Sequence, residues 1–177
     1  MYENVKNLKN SMSINLSDLF FMTLFLLGII ICSQIAIPLP SGVPITLQTL
    51  SIALVGFSLG AKKGTYTIIS YVLLGVIGFP VFSNFTSGFG VTGGFILGFI
   101  PMVFLCGFSN RFENKWIKAI LILLGLIVCH MFGVIQYSFL TNLDFISSFM
   151  LVSAPFIIKD IISLVLAFFM SKKIAVK

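Results

Sequence analysis

The chain has 177 residues, 58% of them hydrophobic and only 9% charged, with a net charge of +6. A soluble domain carries about 25% charged residues, so a chain this apolar cannot cover a water-facing surface and is expected to sit in a membrane. The basic balance is not a nucleic-acid signal, because the lysines and arginine fall in short clusters between apolar runs, where they set topology. Those runs are continuous and do not alternate at period two, which argues against a β-barrel. One all-helical bundle is the economical solution, since backbone polar groups in lipid must be satisfied within their own segment.

In chain order, residues 1–18 are polar and mixed in charge, without the apolar core or A-x-A site of a signal peptide. They are expected to form a cytoplasmic lead-in with room for a short surface helix. Residues 19–177 are expected to form a six-helix membrane domain. The apolar segments are 19–37, 46–59, 64–79, 93–108, 116–140 and 149–170. The second is short against the roughly 20 residues of a full span, so it is tilted or starts inside the bilayer.

Between the first two segments lies IPLPSGVPITLQTL (37–50), with Pro38, Pro40 and Pro44. No helix continues through it, because proline lacks an N–H and pushes the residue before it toward extended geometry. It ends in the polar side chains Thr46, Gln48 and Thr49. A rigid, uncharged loop thus hands over to polar groups, and is expected to form one wall of a small-molecule site.

Charge alternates along the connections. Lys6 and Lys9, then Lys62 and Lys63, then Arg111, Lys115 and Lys118, and finally Lys172, Lys173 and Lys177 mark every second one. The links 38–46, 80–92 and 141–148 carry no lysine or arginine. By the positive-inside rule this predicts six spans, both termini cytoplasmic and the three uncharged links outside. Glycines crowd the second of these links and the following helix, at Gly88, Gly90, Gly93, Gly94 and Gly98. They serve either close helix packing or close approach to a ligand.

Ionisable groups inside a membrane are costly and therefore informative. Asp160 is the only carboxylate plainly within a span, two to three turns from its outer end, and it follows Lys159. Adjacent helical residues do not face each other, so an Asp160–Lys159 pair is not expected, and Asp160 is read as an acceptor for ligand N–H groups. His130 has no second ligand at metal spacing, and is assigned to hydrogen bonding within the bundle. Tyr137, further along the same helix, either lines an outward cavity or is an interfacial aromatic. Cys32, Cys106 and Cys129 read as small buried apolar residues. Hydrolase, zincin and P-loop motifs are lacking, so no catalytic residue, metal or cofactor is expected. Gly28, Cys32 and Ala36 form a small-residue stripe suited to another helix, from a partner or from this chain.

Five stretches then carry a resemblance: VPITLQTL (43–50), LGAKKG (59–64), YVLLGVIGFPVF (71–82), GFGVTGGFILGF (88–99) and PFIIKDIIS (155–163). In order and spacing these resemble the BioY family, the biotin-specific S components of energy-coupling factor (ECF) vitamin transporters. The resemblance implies a multi-pass protein of the bacterial plasma membrane with an outward-facing biotin pocket. It also implies a membrane T protein and two ABC-type ATPases as partners. Mapped onto this chain, the ligand-binding residues would be Gln48, Thr49, Asn84, Gly93, Gly94, Tyr137, Asp160 and Ser163, with Gly28, Cys32 and Ala36 docking the T protein. The family pattern resembles Gly-Asp-x-x-Lys in the last helix; here Lys159 precedes Asp160 and Ser163 stands at the lysine position. Val91 and Phe95 replace a common proline and tyrosine. Lys159 is expected to point away from the site. The alternatives are an S component for a biotin relative or another small vitamin, a non-transporting membrane scaffold, and an intramembrane enzyme using His130 and Asp160.

Overall fold

The computed structural model describes residues 14–174. Most of the lead-in expected at 1–18 therefore lies outside the described residues, and its last three residues open the first helix. The chain is a helical membrane protein. Helix α1 spans Leu16–Gln34 and leads into a two-stranded hairpin, β1 (Ala36–Ile37) and β2 (Ile45–Thr46). Helices α2 (Gln48–Val76), α3 (Gly93–Ser109), α4 (Lys115–Thr141), α5 (Phe145–Val152) and α6 (Ile157–Ile174) follow. Short 3-10 turns occur at Ser83–Phe85 and Ala154–Phe156.

The proline loop is a hairpin. Ala36 pairs with Thr46 and Ile37 with Ile45, antiparallel. Its tip turns at Gly42, whose φ of 81° suits glycine and whose N–H donates to the Leu39 carbonyl at 3.0 Å. Only two pairs form because prolines cannot donate to a ladder.

Two expected boundaries move. The link expected between the second and third segments narrows to a single kinked residue, Gly60, where two helical arms meet. Helical structure runs from Gln48 to Val76 and leaves helical geometry only at Gly60, with φ 74° and ψ 176°. Lys62 and Lys63 therefore lie in the first turn after a one-residue elbow. The last segment, expected as one helix over 149–170, is broken between α5 and α6. Pro155 cannot donate a backbone hydrogen bond, and Ser153 leaves helical geometry at φ −126° and ψ −55°.

Helix α3 packs between α2 and α4, and glycines set how closely. A Cβ on Gly56 would stand 2.7 Å from the Val103 carbonyl oxygen. One on Gly98 would stand 2.8 Å from Cys129 Cα, and one on Gly94 2.3 Å from the Phe132 carbonyl oxygen. One on Gly107 would come within 2.3 Å of the Ala61 nitrogen, against the Gly60 elbow. Gly94 and Gly98 thus serve helix packing, while Gly88 and Gly90 have open space. Tyr71, Phe82, Met102 and Val103 fill the core.

Large apolar side chains such as Phe20, Ile31, Ile120 and Ile158 point outward, as in a protein solvated by lipid. The stretches Leu16–Gln34, Lys115–Thr141 and Phe145–Ser171 are long and apolar enough to cross a membrane. The small-residue stripe is shorter than expected, because α1 ends at Gln34 and Ala36 lies in β1. Gly28 opens onto free space.

The two ends of the bundle differ in charge. At the end remote from the hairpin, the Asp18 carboxylate accepts from the Asn15 N–H at 3.2 Å and from Lys63 at 2.6 Å. Close by, Asn110 caps the Phe57 carbonyl at 2.9 Å. Phe57 stacks edge-on with Phe168, over which Lys172 lies at 4.7 Å. Among the described residues, Lys159 alone of the lysines and arginine lies at the hairpin end. Gly107→Val should lower stability by at least about 1–3 kcal/mol through overpacking at the elbow. Gly28→Ala should change it by less than about 0.5 kcal/mol, both read from thermal unfolding in detergent.

Candidate functional site

The site lies beneath the hairpin, where the end of β2, the start of α2, the middle of α4 and the α5–α6 break converge. A cavity partly open to solvent is lined on one side by Phe95, Ile96, Phe99 and Leu126. Its polar lining comes from Thr46, Gln48, Thr49, Ser83, Thr92, His130, Lys159 and Asp160.

Asp160 is 4% exposed and sits in the first turn of α6, immediately after the break. His130 Nε2 stands 3.2 Å from Asp160 Oδ2, and His130 Nδ1 stands 2.7 Å from Ser153 Oγ. The pattern fits a tautomer with the proton on Nε2, which donates to the carboxylate while Nδ1 accepts from the serine hydroxyl. The broken helix makes this possible, since it brings Ser153 and Asp160 to the same imidazole.

Lys159 corrects two expectations. Its ammonium lies against Asp160 Oδ1 and donates to the Thr46 carbonyl at 3.2 Å. Neighbouring helical side chains diverge, but here both residues lie in the opening turn of a helix after irregular backbone. The four-carbon stem folds back beside the Phe156 ring, 5.8 Å from the ammonium. Lys159 therefore faces the cavity. It also ties α6 to the hairpin strand, and an ammonium has a third donor to offer.

Gln48 lines the cavity but its amide is used internally. Nε2 donates to Tyr71 Oη at 2.7 Å, Oε1 accepts from Thr46 Oγ1 at 3.1 Å, and Tyr71 donates to the Val81 carbonyl at 3.1 Å. Ser33 donates to the same carbonyl at 2.8 Å, and Gln34 Oε1 accepts from the Phe85 N–H at 2.8 Å. This network fixes the 80–92 connection to α1 and α2.

Of the residues expected in the site, Gln48, Thr49 and Asp160 come together in the cavity. Asn84, in the left-handed region at φ 56°, lines an adjoining depression that shares Pro44, Ser83 and Thr92 with it. Tyr137 does not line the cavity; its hydroxyl donates to the Ser41 carbonyl at 3.1 Å and pins the hairpin tip to α4. Gly93 and Gly94 pack against Gln136 on α4, and Ser163 is buried one turn beyond Asp160, outside the cavity lining. Lys159, His130 and the aromatic wall of Phe95, Phe99 and Phe156 complete the lining without having been placed in it beforehand. The available signal was the Ser-x-Pro sequence at 153–155, which breaks the last helix opposite the lone histidine.

The BioY family profile matches residues 5–177. The chain belongs to the BioY family. It is 38% identical over 159 residues to "Biotin transporter BioY2" of Lactococcus lactis subsp. cremoris, covering 85% of this chain and 87% of that protein. It is 36% identical over 145 residues to "Biotin transporter BioY" of Thermotoga maritima, covering 78% and 84%. Its fold superposes with a TM-score of 0.80, at 27% identity, on the crystal structure of the S-component for biotin from an ECF-type ABC transporter, covering 91% of this chain and 94% of that one.

The Tyr137–Ser41 bond gives BioY architecture here a hairpin tethered at its tip. Tyr137→Phe removes one hydrogen bond worth about 1 kcal/mol. Amide exchange at Gly42 and Val43 should accelerate about fivefold, with exchange in α3 unchanged.

Proposed function

We propose that this chain is the biotin-binding S component of an ECF-type vitamin transporter, capturing biotin from the outside. The observation that carries the reading is the pairing of buried Asp160, an acceptor, with half-buried Lys159, a donor, in a partly enclosed cavity whose other wall is apolar. A cyclic ureide presents N–H and C=O groups side by side. A carboxylate beside an ammonium complements that edge, with Asp160 accepting from N–H and the third Lys159 donor reaching the carbonyl oxygen. Phe95, Phe99 and Leu126 suit the thioether ring. The printed names of the relatives agree with this ligand.

The valerate carboxylate lies at the far end of a four-methylene chain from the ureide. Among the described residues Lys159 is the only lysine or arginine in the cavity lining, and held against Asp160 it serves one end of the ligand. The carboxylate then lies toward the mouth, near the hydroxyls of Ser83 and Thr92 and the Asn84 amide. This assignment replaces Ser163 as the residue to consider at the missing lysine position.

Six spans follow if the two arms of α2 each cross the membrane, with α5 and α6 together forming the last. The basic end then faces the cytoplasm by the positive-inside rule, and the hairpin faces outside. No nucleotide-binding motif is present, so energy for uptake comes from partners, a membrane T protein and two ABC-type ATPases. The α1 face at Gly28 and Cys32 is the proposed docking surface.

Calorimetry on the purified protein should give 1:1 binding of biotin, weakened at least tenfold, or about 1.4 kcal/mol, by Asp160→Ala. Unchanged affinity in that variant removes Asp160 from the site. Biotin amide should bind within about threefold of biotin, and Lys159→Met should weaken both about tenfold through loss of a charge-assisted hydrogen bond. A wild-type protein that rejects the amide would place the carboxylate, not the ureide, at Lys159.

A further inference from the structure

Helices α4 and α6 run past one another without packing closely. Two cavities of about 360 and 290 Å³ open between them on the outer flank of the bundle. They share Leu123 and Ile161 and so form one continuous furrow. From Lys115 to Val134 along α4 the furrow runs about 28 Å at 1.5 Å per residue, close to the roughly 30 Å of a bilayer's hydrocarbon core. It lies away from the α1 face and meets the ligand cavity only at Leu126 and His130.

Two features select its occupant. The walls are bulky and branched, with Ile127, Val165, Phe168 and Phe169 among them. Transmembrane helices associate over small residues that allow close backbone approach, and this surface is a poor match for one. A flexible acyl chain fits between such side chains. The charge at one end points the same way. Lys115 and Lys118 line the furrow, and Lys172 stands 4.7 Å from the ring of Phe168. Among the described residues none of these three lysines forms an ion pair with a carboxylate. Exposed Trp116 starts the same helix, the position of an interfacial aromatic, which sets the lysines at headgroup depth.

We propose that the α4–α6 furrow binds one anionic phospholipid from the leaflet at the lysine end. Its phosphate rests on Lys115 and Lys118, and one acyl chain lies along Leu123 and Ile161. The lipid fills a gap between two helices that meet through the His130–Asp160 pair but do not pack closely along the furrow.

The test is native mass spectrometry of the purified full chain in detergent, with phosphatidylglycerol or phosphatidylcholine of identical acyl chains. The wild type should retain one phosphatidylglycerol with at least fivefold preference. Lys115→Gln with Lys118→Gln should bring the two lipids to parity. Leu123→Trp, or Val165→Trp if the first variant is not monodisperse with wild-type helical content, should reduce retention of both lipids alike. Equal retention by the wild type, a preference surviving the double lysine variant, or full retention with the furrow filled by tryptophan would each overturn the proposal. So would displacement of bound lipid by glycerophosphate alone. None of these readouts depends on biotin, so failure here leaves the transport reading untouched.

Discussion

A carboxylate buried inside a lipid-solvated bundle must be compensated, because an uncompensated charge in low dielectric is prohibitively costly. Asp160 meets that constraint with two partners from different directions, His130 on α4 and Lys159 beside it. Much of the architecture at this end serves the constraint. The α5–α6 break brings Ser153 to the far side of the imidazole, and Lys159 extends the cluster to the hairpin through the Thr46 carbonyl. The pair is therefore a fastening between the last helix and the loop that roofs the cavity.

The rest of the bundle keeps that cluster in place. Helix α3 carries no charged residue and works as a spacer whose glycines let α2 and α4 approach its backbone directly. Close approach of three helices leaves little free volume in the middle, so the cavity is confined to the end where the hairpin and the 80–92 connection spread the helices apart. Polar residues near that end bind the connection down through the Val81 carbonyl, which accepts from Ser33 and Tyr71.

Much of this was legible in the chain. Composition required a membrane, the prolines required a break after α1, and the scarcity of carboxylates in apolar segments singled out Asp160. The less legible parts are those where distant residues decide local geometry. Gln48 reads as a ligand contact from its position, yet its amide is engaged by Tyr71, 23 residues away. Tyr137 reads as a cavity residue, yet it holds Ser41 across 96 residues. Lys159 departs from the sequence expectation because the helical angle between neighbours does not govern a lysine in the opening turn, just after irregular backbone. Hydropathy also runs unbroken through 149–170, because the residues that break the helix are themselves uncharged.

The elbow at Gly60 has a consequence for which sequences this architecture tolerates. Ordinary loops absorb insertions and deletions, since their slack decouples the elements on either side. Here the two arms of α2 meet through one residue pressed against Gly107, so the junction works as a register mark with no slack. Adding or removing a single residue would turn the second arm by about 100° about its axis. Tyr71 would then swing away from Gln48, and its side of the arm would exchange core for lipid. Variation in length is thereby directed to the hairpin and the 80–92 connection, while the junction is held in identity as well, by the positive φ of Gly60 and the missing side chain of Gly107.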